Sequence, residues 1–202
     1  MELTILLAFA LGTSWLKRRD QQHRIQLLGS VLSRFDIEKL MESLTDGYLR
    51  ALGEDEPERR QQVWSYLETQ ETLLSEQFVA FAAEFATQDA ASTRISTLPV
   101  ALPFATRWLP HASADARSAF ALHARGIAEV VANATGRSPR DRAYTLSAEL
   151  FLMQHTCHWY CRSKATASAR LLGRHKTTYE QVLQSVSPAT RDAYSRWAAR
   201  QA

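Results

Sequence analysis

Apolar residues recur at intervals of three and four along most of this chain, and strict alternation of apolar and polar residues is almost absent. This spacing places apolar side chains on one face of an α-helix. One such stripe, between Asp36 as a start signal and Gly53 as a stop signal, consists of Ile37, Leu40, Met41, Leu44, Tyr48 and Leu52. The pattern predicts an all-α protein, a bundle of about seven to eight helices with an apolar N-terminal helix.

Helix start and stop signals divide the periodic segments. Pro57 suits the first turn of a helix, and Ser138 followed by Pro139 forms a strong start signal, whereas Gly173 suits a stop. After the first segment, which continues to about residue 34, the predicted helices are 36–53, 57–85, 113–134, 138–172, 178–186 and 187–200.

Residues 88–112 interrupt the helical pattern, because Pro99, Pro103 and Pro110 exclude a continuous helix. The segment is nevertheless apolar, and a loop of this kind either covers the core or faces a partner. The pattern favours core cover. If the loop binds a partner, the predicted contact residues are Leu98, Leu102, Phe104 and Trp108.

The chain begins with an uncharged run from Leu3 to Leu16, followed at once by Lys17, Arg18 and Arg19. Fourteen residues form about 21 Å of helix, less than the roughly 30 Å of a bilayer core. We expect residues 1–16 to be a membrane anchor, single-pass or half-inserted, or else a core helix of a soluble protein. A cleaved signal is disfavoured, because its cations normally precede the apolar run.

An anchor at residues 3–16 would place the rest of the protein on the cytoplasmic side, because basic residues after an inserted segment stay there. Residues 17–202 are then expected to form a single helical domain. If residues 3–16 are a core helix instead, the protein is cytoplasmic. Two cysteines in 202 residues are too few for a disulfide framework, which agrees with either arrangement.

Charge is distributed unevenly along the chain. Residues 36–89 carry 13 acidic and four basic side chains, whereas residues 137–202 carry 11 basic and four acidic ones. The net charge of +3 is too small to indicate a nucleic-acid partner. Within 162–176 the cations are either solvated helix ends or a surface for anionic headgroups or a protein partner. The residues assigned to that surface are Arg162, Lys164, Arg170 and Arg174.

The densest cluster of potential ligands is HTCHWYCRSK, residues 155–164. At about 100° per residue, His155 faces almost opposite to Cys157 and Cys161, so one metal ion cannot bind all three on a regular helix. Cys157 with Cys161, or His155 with His123 on the preceding helix, could hold a metal or haem with further ligands. Buried structural roles are favoured for all four, and no cofactor is expected.

Common catalytic motifs are absent from the sequence: Gly-rich phosphate loops, HExxH, GxSxG and the EF-hand pattern. We therefore expect a non-enzymatic, membrane-associated helical protein that acts in protein–protein interaction or assembly on the cytoplasmic face. The alternatives are a metal- or haem-binding helical protein that uses His123 with His155, or Cys157 with Cys161, and a soluble helical enzyme whose site no motif reveals.

Overall fold

The apolar stripes at helical spacing pack against one another in a bundle of α-helices. The computed structural model describes residues 2–98 and 101–199, and side chains from residue 11 onward. Nine α-helices lie in this part of the chain: α1 (Glu2–Leu32), α2 (Ile37–Gly53), α3 (Pro57–Ala86), α4 (Ala105–Trp108), α5 (Ala116–Ala132), α6 (Pro139–Cys161), α7 (Lys164–His175), α8 (Tyr179–Ser185) and α9 (Pro188–Ala199). The predicted all-α bundle is confirmed.

Several predicted helix starts are confirmed by side-chain caps. Ser138 Oγ accepts a 3.2 Å hydrogen bond from the Asp141 N–H, and Pro139 occupies the first turn of α6. Thr178 and Gln181 form a capping box at α8, in which each side chain accepts a bond from the other residue's backbone N–H. Such caps satisfy backbone donors that a helix leaves unpaired at its N-terminus.

The single helix predicted for residues 138–172 is two helices, α6 and α7, so this prediction was wrong. The backbone of Arg162 leaves the helical region, with φ −133° and ψ −89°. Ser163 Oγ then accepts a 3.2 Å hydrogen bond from the Thr166 N–H and caps α7. A serine cap can start a helix without a preceding Gly or Pro. The break lets α7 pack against α6 with Leu171 buried.

The described residues of the segment 88–112, which are 88–98 and 101–112, contain no long helix, as predicted, but they do contribute a strand. In it, β1 (Arg94–Ser96) pairs antiparallel with β2 (Ser113–Asp115), and the chain between them holds α4 and a 3₁₀ turn at Pro110–Ala112. The strand pair closes the apolar loop at its base.

The helix predicted to begin at Ser113 begins at Ala116 instead, because residues 113–115 form β2. The cap is Asp115, whose Oδ1 accepts a 2.9 Å hydrogen bond from the Arg117 N–H. Ser113 pairs with Ser96 of β1, which precedes it by 17 residues. This strand pairing therefore overrides the local helix-start signal at Ser113.

Helix α6 is the central helix of the bundle: it contacts α1, α2, α5, α7 and α8. The six largest fully buried side chains of the described residues are all aromatic and come from four helices: Phe78, Phe81, Phe85, Phe120, Tyr160 and Tyr194. Leu52 differs from its predicted place in the α2 stripe and is 53% exposed, because the buried residue in this last turn is its neighbour Ala51.

A buried polar cluster ties α2, α3 and α6 together. The Tyr48 hydroxyl donates a 2.7 Å hydrogen bond to Glu71 Oε1, and Arg142 Nε lies 2.9 Å from Glu71 Oε2. Arg142 also reaches the more exposed Glu68 at 2.8 Å. Burial raises the pKa of the Glu71 carboxyl above its ordinary value. The Arg142 guanidinium therefore compensates a carboxylate that would otherwise be costly to bury.

Gly126 permits close packing of α5 against α6 and α9. A Cβ at this position would lie 2.8 Å from Glu149 Oε2 and would also collide with Thr190 Oγ1. Glu149 is buried, and its Oε1 accepts hydrogen bonds from the N–H and the hydroxyl of Ser187, at 3.0 and 2.9 Å. The space left by the missing side chain at Gly126 is thus occupied by a hydrogen-bonded polar cluster.

Candidate interaction surface

The described side chains in the N-terminal half of α1 are poorly covered by the rest of the protein. Leu11 is 63% exposed and Trp15 is 59% exposed, and no residue from 11 to 19 is buried. The regular buried face of this helix begins at Gln21 and continues with Arg24, Leu28 and Val31. The end of the uncharged run that predicted an anchor or a core helix is therefore accessible to an external partner.

Three cations follow this accessible segment, and they lie in different surroundings. Arg19 stays beside the segment, with its guanidinium carbon 5.6 Å from the centroid of the Trp15 ring. Lys17 and Arg18 instead line a groove between α1 and the start of α7. Amphipathic aromatic rings next to cations are typical of a membrane–water interface.

This groove, called the basic groove below, has a volume of about 450 Å³. Within the described part of the chain, four cationic and no acidic side chains line it, together with hydroxyl and amide groups. The lining residues are Ser14, Lys17, Arg18, Gln21, Arg162, Thr166 and Arg170. The groove therefore combines positive charge with hydrogen-bond donors, which favours an anionic ligand.

Two contacts hold the arginines of the basic groove. Arg162 Nη1 donates a 2.7 Å hydrogen bond to Gln21 Oε1, and Arg170 Nη1 lies 3.2 Å from His158 Nδ1. Burial and the nearby Arg170 charge lower the pKa of His158, so its ring is neutral and can accept this bond. Both arginines are exposed and open toward solvent.

The other two predicted cations lie elsewhere. Lys164 Nζ lies 5.3 Å from the centroid of the Trp159 ring and 4.9 Å from that of Tyr179, which indicates cation–π contacts. Arg174 lines a separate cavity next to the acidic side chains Glu38 and Glu42 of α2. The predicted basic surface is thus divided, and only Arg162 and Arg170 lie together with the cations of α1.

The apolar loop covers the core at some positions and is exposed at others. Ala105 and Thr106 are buried, Leu98 and Phe104 are half-buried, and the two most exposed predicted contact residues are Leu102 at 49% and Trp108 at 75%. Pro99 lies outside the described residues. Leu98 and Leu102 also line a narrow cleft with Lys17, Gln21 and Arg162, so the loop adjoins the basic groove.

Arg24 fixes this loop in place, and its role was not anticipated from the sequence. Its Nη1 donates to the Arg94 carbonyl at 3.0 Å and its Nη2 donates to Thr106 Oγ1 at 3.2 Å. The guanidinium also lies 3.4 Å from Asp20 and 5.7 Å from the Tyr160 ring centroid. Arg24 precedes Leu28 by four residues, so both lie on the buried face of α1. This spacing is the signal in the sequence that could have indicated an inward position for Arg24.

The two candidate ligand histidines are buried in separate surroundings. His123 Nε2 lies 2.8 Å from the Thr156 hydroxyl and its ring packs on Tyr194, whereas His155 Nε2 lies 3.1 Å from the Ser168 hydroxyl and its ring packs on Tyr179. Burial lowers the pKa of each ring to about 3. Both are therefore neutral at pH 7, with Nε2 hydrogen bonded.

Cys157 and Cys161 face α1, where they line a shallow groove with Leu28 and Leu32. Both are half-buried free thiols, and the Cys157 Sγ lies 3.6 Å from Met153 Sδ. Burial raises the pKa of the Cys161 thiol to about 11, and that of the Cys157 thiol also rises well above its ordinary value. Protonated thiols are weak nucleophiles and weak metal ligands.

Among residues 2–98 and 101–199, no cluster of three or more His, Cys, Asp or Glu side chains is arranged to hold a metal ion. Over the same residues, no helix has the length and apolar character required to cross a bilayer.

No family model, no curated protein and no solved structure matches the chain. The exposed residues 11–19 of α1, the basic groove and the exposed part of the loop are the features that bear on function.

Proposed function

We propose that the protein is a non-enzymatic, membrane-associated interaction protein that attaches to the cytoplasmic face of a membrane through the N-terminal half of α1. The observation that carries this proposal is the exposure of Leu11 and Trp15 on an uncharged helical run that ends at three cations. Transfer of one exposed leucine into an apolar environment stabilises the bound state by about 1.5–3 kcal/mol.

The length of the run supports partial insertion as the mode of attachment. Leu3–Leu16 forms about 21 Å of helix, which fits within the roughly 30 Å of apolar core and leaves Lys17 to Arg19 at the headgroups. Trp15 would then lie at the level that aromatic rings prefer, two residues before the first cation.

A protein-binding role is supported by the apolar loop. Trp108 is 75% exposed, and its neighbour Leu109 is 41% exposed, although Arg24 binds the side chain of the nearby Thr106. A large aromatic side chain held on an ordered loop is typical of an interface anchor. We propose that the attached protein presents Trp108 and Leu102 to a protein partner.

Vesicle flotation tests the attachment. Leu11→Asp should weaken vesicle binding by at least tenfold, because an acidic side chain costs about 3 kcal/mol relative to leucine within the hydrocarbon. Leu49→Asp is a matched control, because Leu49 is 68% exposed on α2. Equal binding of the two variants and the wild-type protein would contradict attachment through α1.

Cross-linking in native membranes tests the partner. Trp108→Ala should lose a specific cross-linked protein that the wild type retains, whereas Tyr66→Ala, which changes a 58% exposed aromatic residue on α3, should keep it. Identical cross-linked products from both variants would exclude the loop as the partner surface.

A further inference from the structure

The basic groove concentrates positive charge that the sequence distributes over two distant regions. Lys17 and Arg18 come from α1, whereas Arg162 and Arg170 come from the α6–α7 junction and α7. The acidic residue nearest in α1, Asp20, lies 3.4 Å from Arg24 on the side of the loop. Asp20 also lines the adjoining cleft with Lys17 and Arg162, but it does not line the basic groove, whose described lining contains four cations and no acidic side chain.

The donors of the groove suit a phosphate group. A guanidinium carries five N–H donors, and Arg162 uses one of them for its bond to Gln21. Ser14 and Thr166 add hydroxyl groups to the lining. Cationic donors from more than one direction, together with hydroxyls, are the usual combination for binding a phosphate. At about 450 Å³ the groove has room for one headgroup.

The position of the groove on α1 specifies the source of the phosphate. Ser14 belongs to the uncharged run, and Lys17 and Arg18 are its first charged neighbours. If the run inserts as proposed above, the groove lies at the depth of the lipid phosphates. We infer that the basic groove binds the phosphate of an anionic lipid headgroup, an inference that rests on the proposed attachment through α1.

Matched pairs of substitutions separate this site from a general effect of charge. Arg18→Gln and Arg170→Gln each remove one cation from the groove. Arg50→Gln and Arg174→Gln remove the same charge from exposed positions on α2 and α7, outside the groove. Circular dichroism and thermal unfolding first establish that each variant is folded. A further variant, Arg170→Lys, tests whether a positive charge without the guanidinium group restores binding.

Flotation with vesicles of phosphatidylcholine alone, and with added phosphatidic acid, then gives the decisive comparison. We expect each groove variant to lose about fivefold in affinity for the anionic vesicles, the usual effect of one cation at such a surface. The variants outside the groove should change by less than twofold. Arg170→Lys should recover part of the loss. Equal losses within each pair would overturn the site and indicate diffuse charge attraction.

Two further experiments are needed. The first separates phosphate binding in the groove from attachment through α1, and the second separates a lipid phosphate from a soluble one. Binding to neutral vesicles should be lost in Leu11→Asp and retained in Arg170→Gln, so failure of the attachment and failure of the groove give different results. Inorganic phosphate should displace the protein from anionic vesicles more strongly than chloride at equal ionic strength. Equal displacement would exclude a phosphate site. Tight binding of inorganic phosphate without any preference for anionic vesicles would assign the groove to a soluble phosphate compound and overturn the lipid as its ligand.

Discussion

Arg162 Nη1 donates a 2.7 Å hydrogen bond to Gln21 Oε1, and the two residues are 141 positions apart in the chain. This contact joins the break between α6 and α7 to the face of α1 that follows the uncharged run. Both residues line the basic groove, together with cations of the N-terminus and of α7. Arg24, which binds the apolar loop, lies three residues after Gln21 on α1.

Arg24→Met should loosen the apolar loop and lower the free energy of unfolding by about 2–4 kcal/mol. The substitution removes the donors to Arg94 O and Thr106 Oγ1 and leaves Asp20 without its nearest cation. Urea unfolding measures the loss, and limited trypsin digestion should show faster cleavage after Arg107.

Arg19→Met is the control for this change, because Arg19 lies on the same helix but is exposed. We expect its unfolding free energy to stay within about 0.5 kcal/mol of the wild type, as for most surface substitutions. If both variants are cleaved after Arg107 at the wild-type rate, Arg24 does not hold the loop.

Arg142→Met should destabilise the protein by about 3–5 kcal/mol, because it leaves the buried Glu71 carboxylate without its cation. Glu68→Gln removes the other, 54% exposed partner of Arg142, and should cost less than about 1 kcal/mol. Urea unfolding of both variants compares a buried ion pair with an exposed one. Similar losses would show that the buried cluster contributes no more than the surface contact.

Acidification should destabilise the protein through its buried histidines. The pKa of His123 and of His155 is about 3 in the folded state, against an ordinary value of about 6.5. Between these values the unfolded chain takes up protons that the folded protein excludes. Each histidine therefore lowers the unfolding free energy by up to about 1.4 kcal/mol per pH unit as the pH falls below 6.5.

His123→Gln isolates this contribution, because a glutamine amide can still bond the Thr156 hydroxyl but does not titrate. The raised pKa values of Glu71 and Glu149 act in the opposite direction, so the relevant quantity is the difference between variant and wild type. Urea unfolding between pH 5 and 6.5 measures how the unfolding free energy depends on pH. For the variant, the slope of this dependence should be shallower than that of the wild type by about 1 kcal/mol per pH unit. A slope in the variant equal to that of the wild type would contradict the exclusion of protons from the folded-state ring of His123.

Gly126→Ala and Gly173→Ala should change stability in opposite directions. At position 126 the new methyl group would collide with Glu149 and Thr190, which costs about 1–3 kcal/mol. At position 173, in α7, no atom beyond the adjacent backbone of the same helix lies within 4 Å of the new Cβ, and alanine should stabilise the helix by roughly 0.5–1 kcal/mol. Thermal unfolding of the two variants measures both signs. A stabilised Gly126→Ala would contradict the close packing of α5 against α6.

The sequence by itself determined the helical class and most helix starts. Apolar spacing and capping residues such as Ser138 and Thr178 act over one or two helical turns, so they can be interpreted without knowing which helices are neighbours. The uncharged run and the three cations after it are also local features, so the sequence predicted a membrane anchor or a core helix there, whereas the exposure of Leu11 is a property of the tertiary structure.

Only the tertiary structure decided which residues lie together. The break at Arg162, the strand pairing that displaces the start of α5, and the inward position of Arg24 depend on contacts between residues far apart in the chain. The division of the basic stretch, with Arg170 in the groove and Arg174 beside acidic residues of α2, has the same origin. Helical periodicity specifies the face on which a side chain lies, whereas the identity of its neighbour is set by how the helices pack.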